Sequence, residues 1–190
     1  YLLFGFVLLL YSLVSLFFNR IIHTKVNSII FGVGMILLGI HAFGIGIRWY
    51  IGGYAPLSNT YETMIYIAFS AVVAGVFFFR KSMIAMSASM MVAGVFIFSA
   101  YLGEIDPKIT SLVPVLKSFW LSLHVSVITA SYGFFGLGML LGIITLLLYI
   151  LRSTARMHID ASIQNLVQIN EVTLILGLTL LVIGNFLGGI

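Results

Sequence analysis

The sequence predicts an all-α fold: a polytopic membrane helical bundle of about six transmembrane helices, plus one cytoplasmic interfacial amphipathic helix. Three observations predict it. The 190 residues are 62% hydrophobic and only 7% charged, with a mean hydropathy of +1.21. A water-soluble domain cannot hide that much apolar surface, because it must also cover its own exterior. The apolar residues fall in long runs, each close to the roughly 20 residues needed to cross a bilayer. No segment alternates apolar and polar residues as a transmembrane barrel strand does.

The runs fall near 1–18, 28–47, 61–79, 82–101, 123–151 and 172–190. The first lacks the basic leader and small-residue cleavage site of a signal peptide, so it reads as a span or the remainder of one. The fifth is longer than a bilayer requires, which implies a start outside the bilayer or a tilt. Tyr1 and Ile190 both fall inside apolar runs, so residues 1–190 read as a single transmembrane domain truncated at both ends.

Charge sets the expected orientation. Arg20 and Lys25, Arg80 and Lys81, and Arg152 and Arg156 make the first, third and fifth connections basic and short, which assigns them to the cytoplasm. The second and fourth connections, and both chain ends, then face outward. The second, Arg48 to Glu62, is punctuated by Gly52, Gly53 and Pro56. Ser58, Asn59 or Thr60 can cap the next helix, with Glu62 in its first turn. The fourth carries Pro107 and Pro114 and reads as a segment on the membrane surface. Between Arg152 and Asn170, Ile159, Ile163, Leu166 and Ile169 recur at helical spacing, the pattern of an interfacial amphipathic helix.

Small residues four apart (Ala71 and Gly75, Ala85 and Ser89, Gly138 and Gly142, Gly184 and Gly188) allow close helix approach in lipid. The methionines from Met83 to Met91 read as packing rather than a copper site. The absence of cysteine excludes disulfides and thiolate metal sites within the chain.

Few polar residues are left for chemistry. No paired carboxylates share a helical face, and no nucleophile elbow, HExxH or phosphate-cradling loop is present, so hydrolysis is not expected and no residue is a catalytic candidate. No span carries two histidines, as a di-haem cytochrome of the b type needs. No acidic residue falls in the middle of a run, which argues against proton-coupled transport. His23 and His158 fall in cytoplasmic connections. His41 and His124 belong to the outer half.

His124 begins the fifth run, and Trp120 lies one turn before it on the same helical face. The pair suits one wall and one axial ligand of a haem site. On the residues alone, an interfacial aromatic belt and a histidine bonded to a neighbouring helix suit it better. Arg48, Lys108 and Lys117 can pair with carboxylates, and Trp49, Tyr50 and Trp120 can pack on a flat ring. Haem offers both features, with two propionates and an iron that takes imidazole.

The stretch RWYIGGYAPLSNTYETMIYIAF, Arg48 to Phe69, resembles the outer loop of CcsA-type cytochrome c assembly proteins, the membrane component of the haem-attachment pathway called system II. Three further stretches match in order: SFWLSLHVSVITASYGFFGLG around His124, INEVTLILGL from Ile169, and VIGNFLGGI at the end. The resemblance implies cytochrome c biogenesis in the bacterial cytoplasmic membrane. It implies haem b, in the full-length protein, presented on the outer face to the CxxCH thiols of apocytochrome c. His124 matches the family's first external histidine, an axial haem ligand. Arg48, Trp49, Tyr50 and Trp120 would shape the outer vestibule. The tryptophan-rich motif and second external histidine of the family would follow Ile190. A CcsB-type subunit or fused domain is the expected protein partner, the lipid bilayer the medium, and nucleic acid is not expected. Any help with thioether formation would be proximity. The alternative is a haem-free membrane scaffold or transporter subunit.

Overall fold

The computed structural model describes residues 1–17, 24–78, 82–103, 106–109, 118–152 and 158–189. Every regular element among them is an α-helix, in the order α1 (Leu2–Phe17), α2 (Thr24–Gly52), α3 (Thr60–Phe78), α4 (Met83–Leu102), α5 (Phe119–Leu151) and α6 (His158–Leu187). Five are long and apolar enough to cross a membrane; α1, with 16 residues, is shorter. The chain is a multi-pass membrane protein. α5 has 33 residues, about 50 Å at the helical rise, and starts at Phe119, four residues before the expected run.

Small residues fix the crossings. α1 runs antiparallel to α4: Leu2 backs onto Gly94, and Gly5 onto the backbone at Met90 and Met91. A methyl on Gly94 would stand 2.5 Å from the Leu2 Cα, so neither side has room to yield. Across α3 and α4, Gly75 faces Ser89, whose hydroxyl is spent on the Met86 carbonyl at 2.7 Å. Gly133 of α5 lies against Ser70 and the α3 backbone at Ile67 and Ala71. Of the four small-residue pairs expected from spacing, each contributes to such a contact or to the buried core. Met86 and Met90 are fully buried among Leu8 and Ile30, with Gly34 of α2 pressed against their tips. α2 otherwise touches the bundle chiefly through α3.

The segment expected as a separate amphipathic helix is part of α6, which runs unbroken from His158 to Leu187. The helical spacing is real, but Ile159, Ile163, Leu166 and Ile169 pack into the main core with Leu141, Ile144, Leu148, Phe78 and Ile84. No proline interrupts the sequence there, and extending an existing helix costs far less than nucleating a second one. Gln164 and Gln168 therefore ride on the outside of a long helix, while Asn170 turns toward Gly138 and Gly142 of α5. Most of the charges that suggested orientation (Arg20, Arg80, Lys81, Lys117, Arg156 and the side chain of Lys25), with Glu104, His23 and the side chain of His158, lie outside the described part, as does most of the fourth connection.

Candidate functional site

The end of the bundle where α2 and α6 finish and α3 and α5 begin is organised by two polar clusters and one cavity. The first cluster ties the second connection down. Glu62, only 2% exposed, receives Arg48 Nη2 on Oε1 at 3.1 Å. Its Oε2 accepts the Ser58 backbone N–H at 2.9 Å and the Ser58 hydroxyl at 2.8 Å. Asn59 is the helix cap: its Oδ1 accepts the Glu62 N–H at 2.9 Å, satisfying one of the orphan donors at the start of α3. The reach of Glu62 back to the chain before the cap is a near relative of the capping box. Gly53, at φ 70°, supplies the left-handed turn that brings the connection round. Arg48 also donates to the Pro107 carbonyl at 2.9 Å and lies 5.1 Å from the Tyr61 ring centre, so one guanidinium joins the second connection to the fourth.

The second cluster is built at the crossing of α5 and α6. Ile128 stands against Gly184, and the His124 ring against Gly188. His124 Nδ1 lies 2.7 Å from the Gly184 carbonyl oxygen. That oxygen also accepts the Gly188 N–H at 3.2 Å. It is one of the last four carbonyls of α6, groups that have few partners inside their own helix. Trp120, one turn outward on the same face of α5, is about half exposed and meets Phe119 edge to face at 5.8 Å.

The cavity, of about 310 Å³, is lined by Trp49, Pro56, Tyr66, Phe119, Ser122 and Ser126, among others. It lies on the other side of α5. At about 100° per residue, Ser122 and Ser126 sit roughly 160° round the helix from His124. The five residues singled out from the sequence therefore divide. Trp120 shares the face of His124; Trp49 lines the opposite cavity; Arg48 is engaged by Glu62; and Tyr50, 90% exposed, stands clear of all three.

Sequence reasoning missed three features. Glu62 was read as a first-turn carboxylate, and nothing local reveals that it is buried. Gly184 and Gly188 were found by their spacing, but their partner is 60 residues away. Glu171 sits near the middle of the continuous helix α6, where the sequence suggested the start of a run. It borders an open groove with Gly142, Thr145, Tyr149 and Asn170. Asn170 faces Gly138 and Gly142, 14–18 residues along α5 from His124, so this groove is about 20–27 Å from His124 along the helix axis.

A description of the cytochrome C assembly protein family matches residues 57–190, the span that includes Glu62, His124, Gly184 and Gly188. The chain belongs to the cytochrome c assembly protein family. Protein NrfI of Wolinella succinogenes is 55% identical over all 190 residues, which make up 21% of that protein. The cytochrome c biogenesis protein CcsA of Guillardia theta is 33% identical over 149 residues, covering 75% of this chain and 50% of the relative. CcsA of Porphyra purpurea is 32% identical over 111 residues, 56% of this chain and 35% of the relative. The chain thus spans about a fifth to a half of the length of these relatives. The match begins inside the second connection, so α1, α2 and Arg48 precede the family-matched region while their contacts hold it in place.

Proposed function

We propose that this assembly protein holds haem b on the outer face of the bacterial cytoplasmic membrane and presents it for covalent attachment to the CxxCH thiols of apocytochrome c. His124 is its iron ligand in this reading, and a CcsB-type subunit or fused domain is its partner. The observation that carries the reading is the state of the His124 ring. Among the described residues no hydrogen bond reaches Nε2, while Nδ1 is engaged. An imidazole ligates iron through an unprotonated nitrogen, and Nε2 fits that requirement. When bound, the haem would supply the vinyl groups that accept the thiols.

The rest is done by the chain's own residues. His124 anchors and orients, and Trp120 offers an apolar wall one turn outward. The Arg48–Glu62 pair frames the vestibule and keeps its cation for the protein, since Nη1 and Nη2 are both engaged. That favours Lys108, 82% exposed at its side chain and paired among the described residues with exposed Asp106, over Arg48 as a partner for propionates. In the full-length protein, His124→Gly should abolish cytochrome c maturation and the haem Soret band, and added imidazole should restore part of both. Normal maturation by His124→Gly would refute the ligand assignment.

A further inference from the structure

We infer that the C-terminal turn of α6 is a positioning device for His124: the Gly184 carbonyl selects the ring tautomer and the bare Gly188 leaves the space the ring occupies. The inference rests on the reading of His124 as the iron ligand. A carbonyl oxygen can only accept, so at 2.7 Å the Nδ1 must carry the proton. In a neutral imidazole that leaves the lone pair on Nε2. Without such a partner a histidine ring samples both tautomers and rotates about its side-chain bonds; with it, one nitrogen is presented in one direction.

Gly188 completes the arrangement by what it lacks. A methyl at Gly188 would stand 2.5 Å from Cε1, 2.6 Å from Nδ1 and 3.1 Å from Nε2 of His124, and those three ring atoms are its nearest neighbours. An alanine there collides with this ring first, and the ring can escape only by leaving the Gly184 carbonyl. Gly184 is needed for a different reason. Its own methyl would stand 2.5 Å from Ile128 Cγ1 and 3.2 Å from the Ile128 backbone nitrogen, so a side chain would push α6 off α5 and carry the acceptor out of reach. The two glycines, one turn apart, act on the same hydrogen bond from two directions.

The acceptor also tunes the ligand. A hydrogen bond from the distal ring nitrogen raises the basicity of the ligating one, and the end of α6 carries the negative pole of the helix dipole. Both favour the more positive state of a ligated iron. Weakening the contact should therefore raise the haem reduction potential as well as weaken binding.

The test uses the full-length protein, haem-free and in lipid vesicles, with histidine rings labelled with nitrogen-15. The His124 signals are identified as those missing from His124→Gln. Solid-state magnetic resonance should show a protonated Nδ1 and a bare Nε2; a protonated Nε2 would overturn the inference. Gly188→Ala should populate both tautomers, keep a thermal midpoint close to the parent's, and bind haem about 10–100-fold more weakly, with a raised potential in the haem that remains. Haem affinity within twofold of the parent, with an unchanged tautomer, would overturn it. The two readings fail separately. If His124→Gln still binds haem like the parent, the ligand assignment falls and takes this inference with it. If His124→Gln loses haem while Gly188→Ala behaves like the parent, only the positioning role falls.

Discussion

Removing Glu62 should damage the second connection more than any nearby charge would suggest. The pair with Arg48 is 3.1 Å long, and the two side chains are 1% and 18% exposed. At an effective dielectric of about 20 the attraction is roughly 5 kcal/mol, part of which is offset by desolvation. Glu62→Ala leaves the guanidinium buried without its counter-charge, a change that costs about 3–5 kcal/mol in buried pairs. It also leaves two Ser58 donors, the backbone N–H and the hydroxyl, without their shared acceptor. Arg48→Ala leaves the carboxylate with its two Ser58 contacts and should cost less. The quantity that isolates the pair is the coupling in a cycle of Arg48→Ala, Glu62→Ala and the double variant, and about 2–3 kcal/mol is expected. The assay is unfolding by detergent titration in mixed micelles, followed by the fluorine resonance of 5-fluorotryptophan at Trp49, identified as the signal missing from Trp49→Phe. Trp49 is adjacent to Arg48 and borders the cavity beneath the second connection. A coupling under about 0.5 kcal/mol, the value of an exposed surface pair, would refute the reasoning.

Gly133→Ala should sharply destabilise the bundle, because its methyl would lie 2.7 Å and 2.8 Å from the α3 backbone at Ala71 and Ile67; Gly39→Ala, with nothing within 4 Å, should be neutral or stabilising by up to about 1 kcal/mol, and thermal melting compares the two. Leu166→Ala should cost about 2 kcal/mol for the cavity alone, while its exposed neighbour Val167 tolerates alanine; equal tolerance would return this stretch to the membrane surface. The Lys108 backbone N–H, donating to Asp106 at 3.0 Å, holds the Asp106 carboxyl below its ordinary value. A depressed carboxylate contributes stability above its unfolded value and loses it as pH falls through the folded one, so this turn should loosen on acidification below the usual carboxylate range, as amide exchange at Lys108 would report.

The helices were legible because a bilayer-length apolar run has few alternatives once water is excluded. The start of α6 was not, because Asn170 and Glu171 mimic the end of a run. Their neighbours Leu166 and Ile169 belong to the core, and only the register of α5 against α6 reveals it. The candidate site was legible one helix at a time. The spacing of Trp120 and His124 is local, and so is the spacing of Gly184 and Gly188. That Gly184 and Gly188 receive Ile128 and His124 is a matter of helix crossing, as is the separation of Trp49 from His124 by the thickness of α5. Arg48 was visible as a cation, but its commitment to Glu62 depends on a turn at Gly53 and on burial that no local pattern encodes.

The antiparallel seating of α1 on α4 has a consequence for how the protein is made. Leu2 and Gly94 meet although they are 92 positions apart in the chain, so α1 leaves the ribosome well before the surface it fits. At about 5–20 residues per second, the wait is roughly 5–18 s. During that interval α1 has to persist without its permanent neighbour. The arrival of α4 then closes the gap between the first helix and the third in one step, so the insertion machinery must keep α1 at hand until more than half of this chain has emerged.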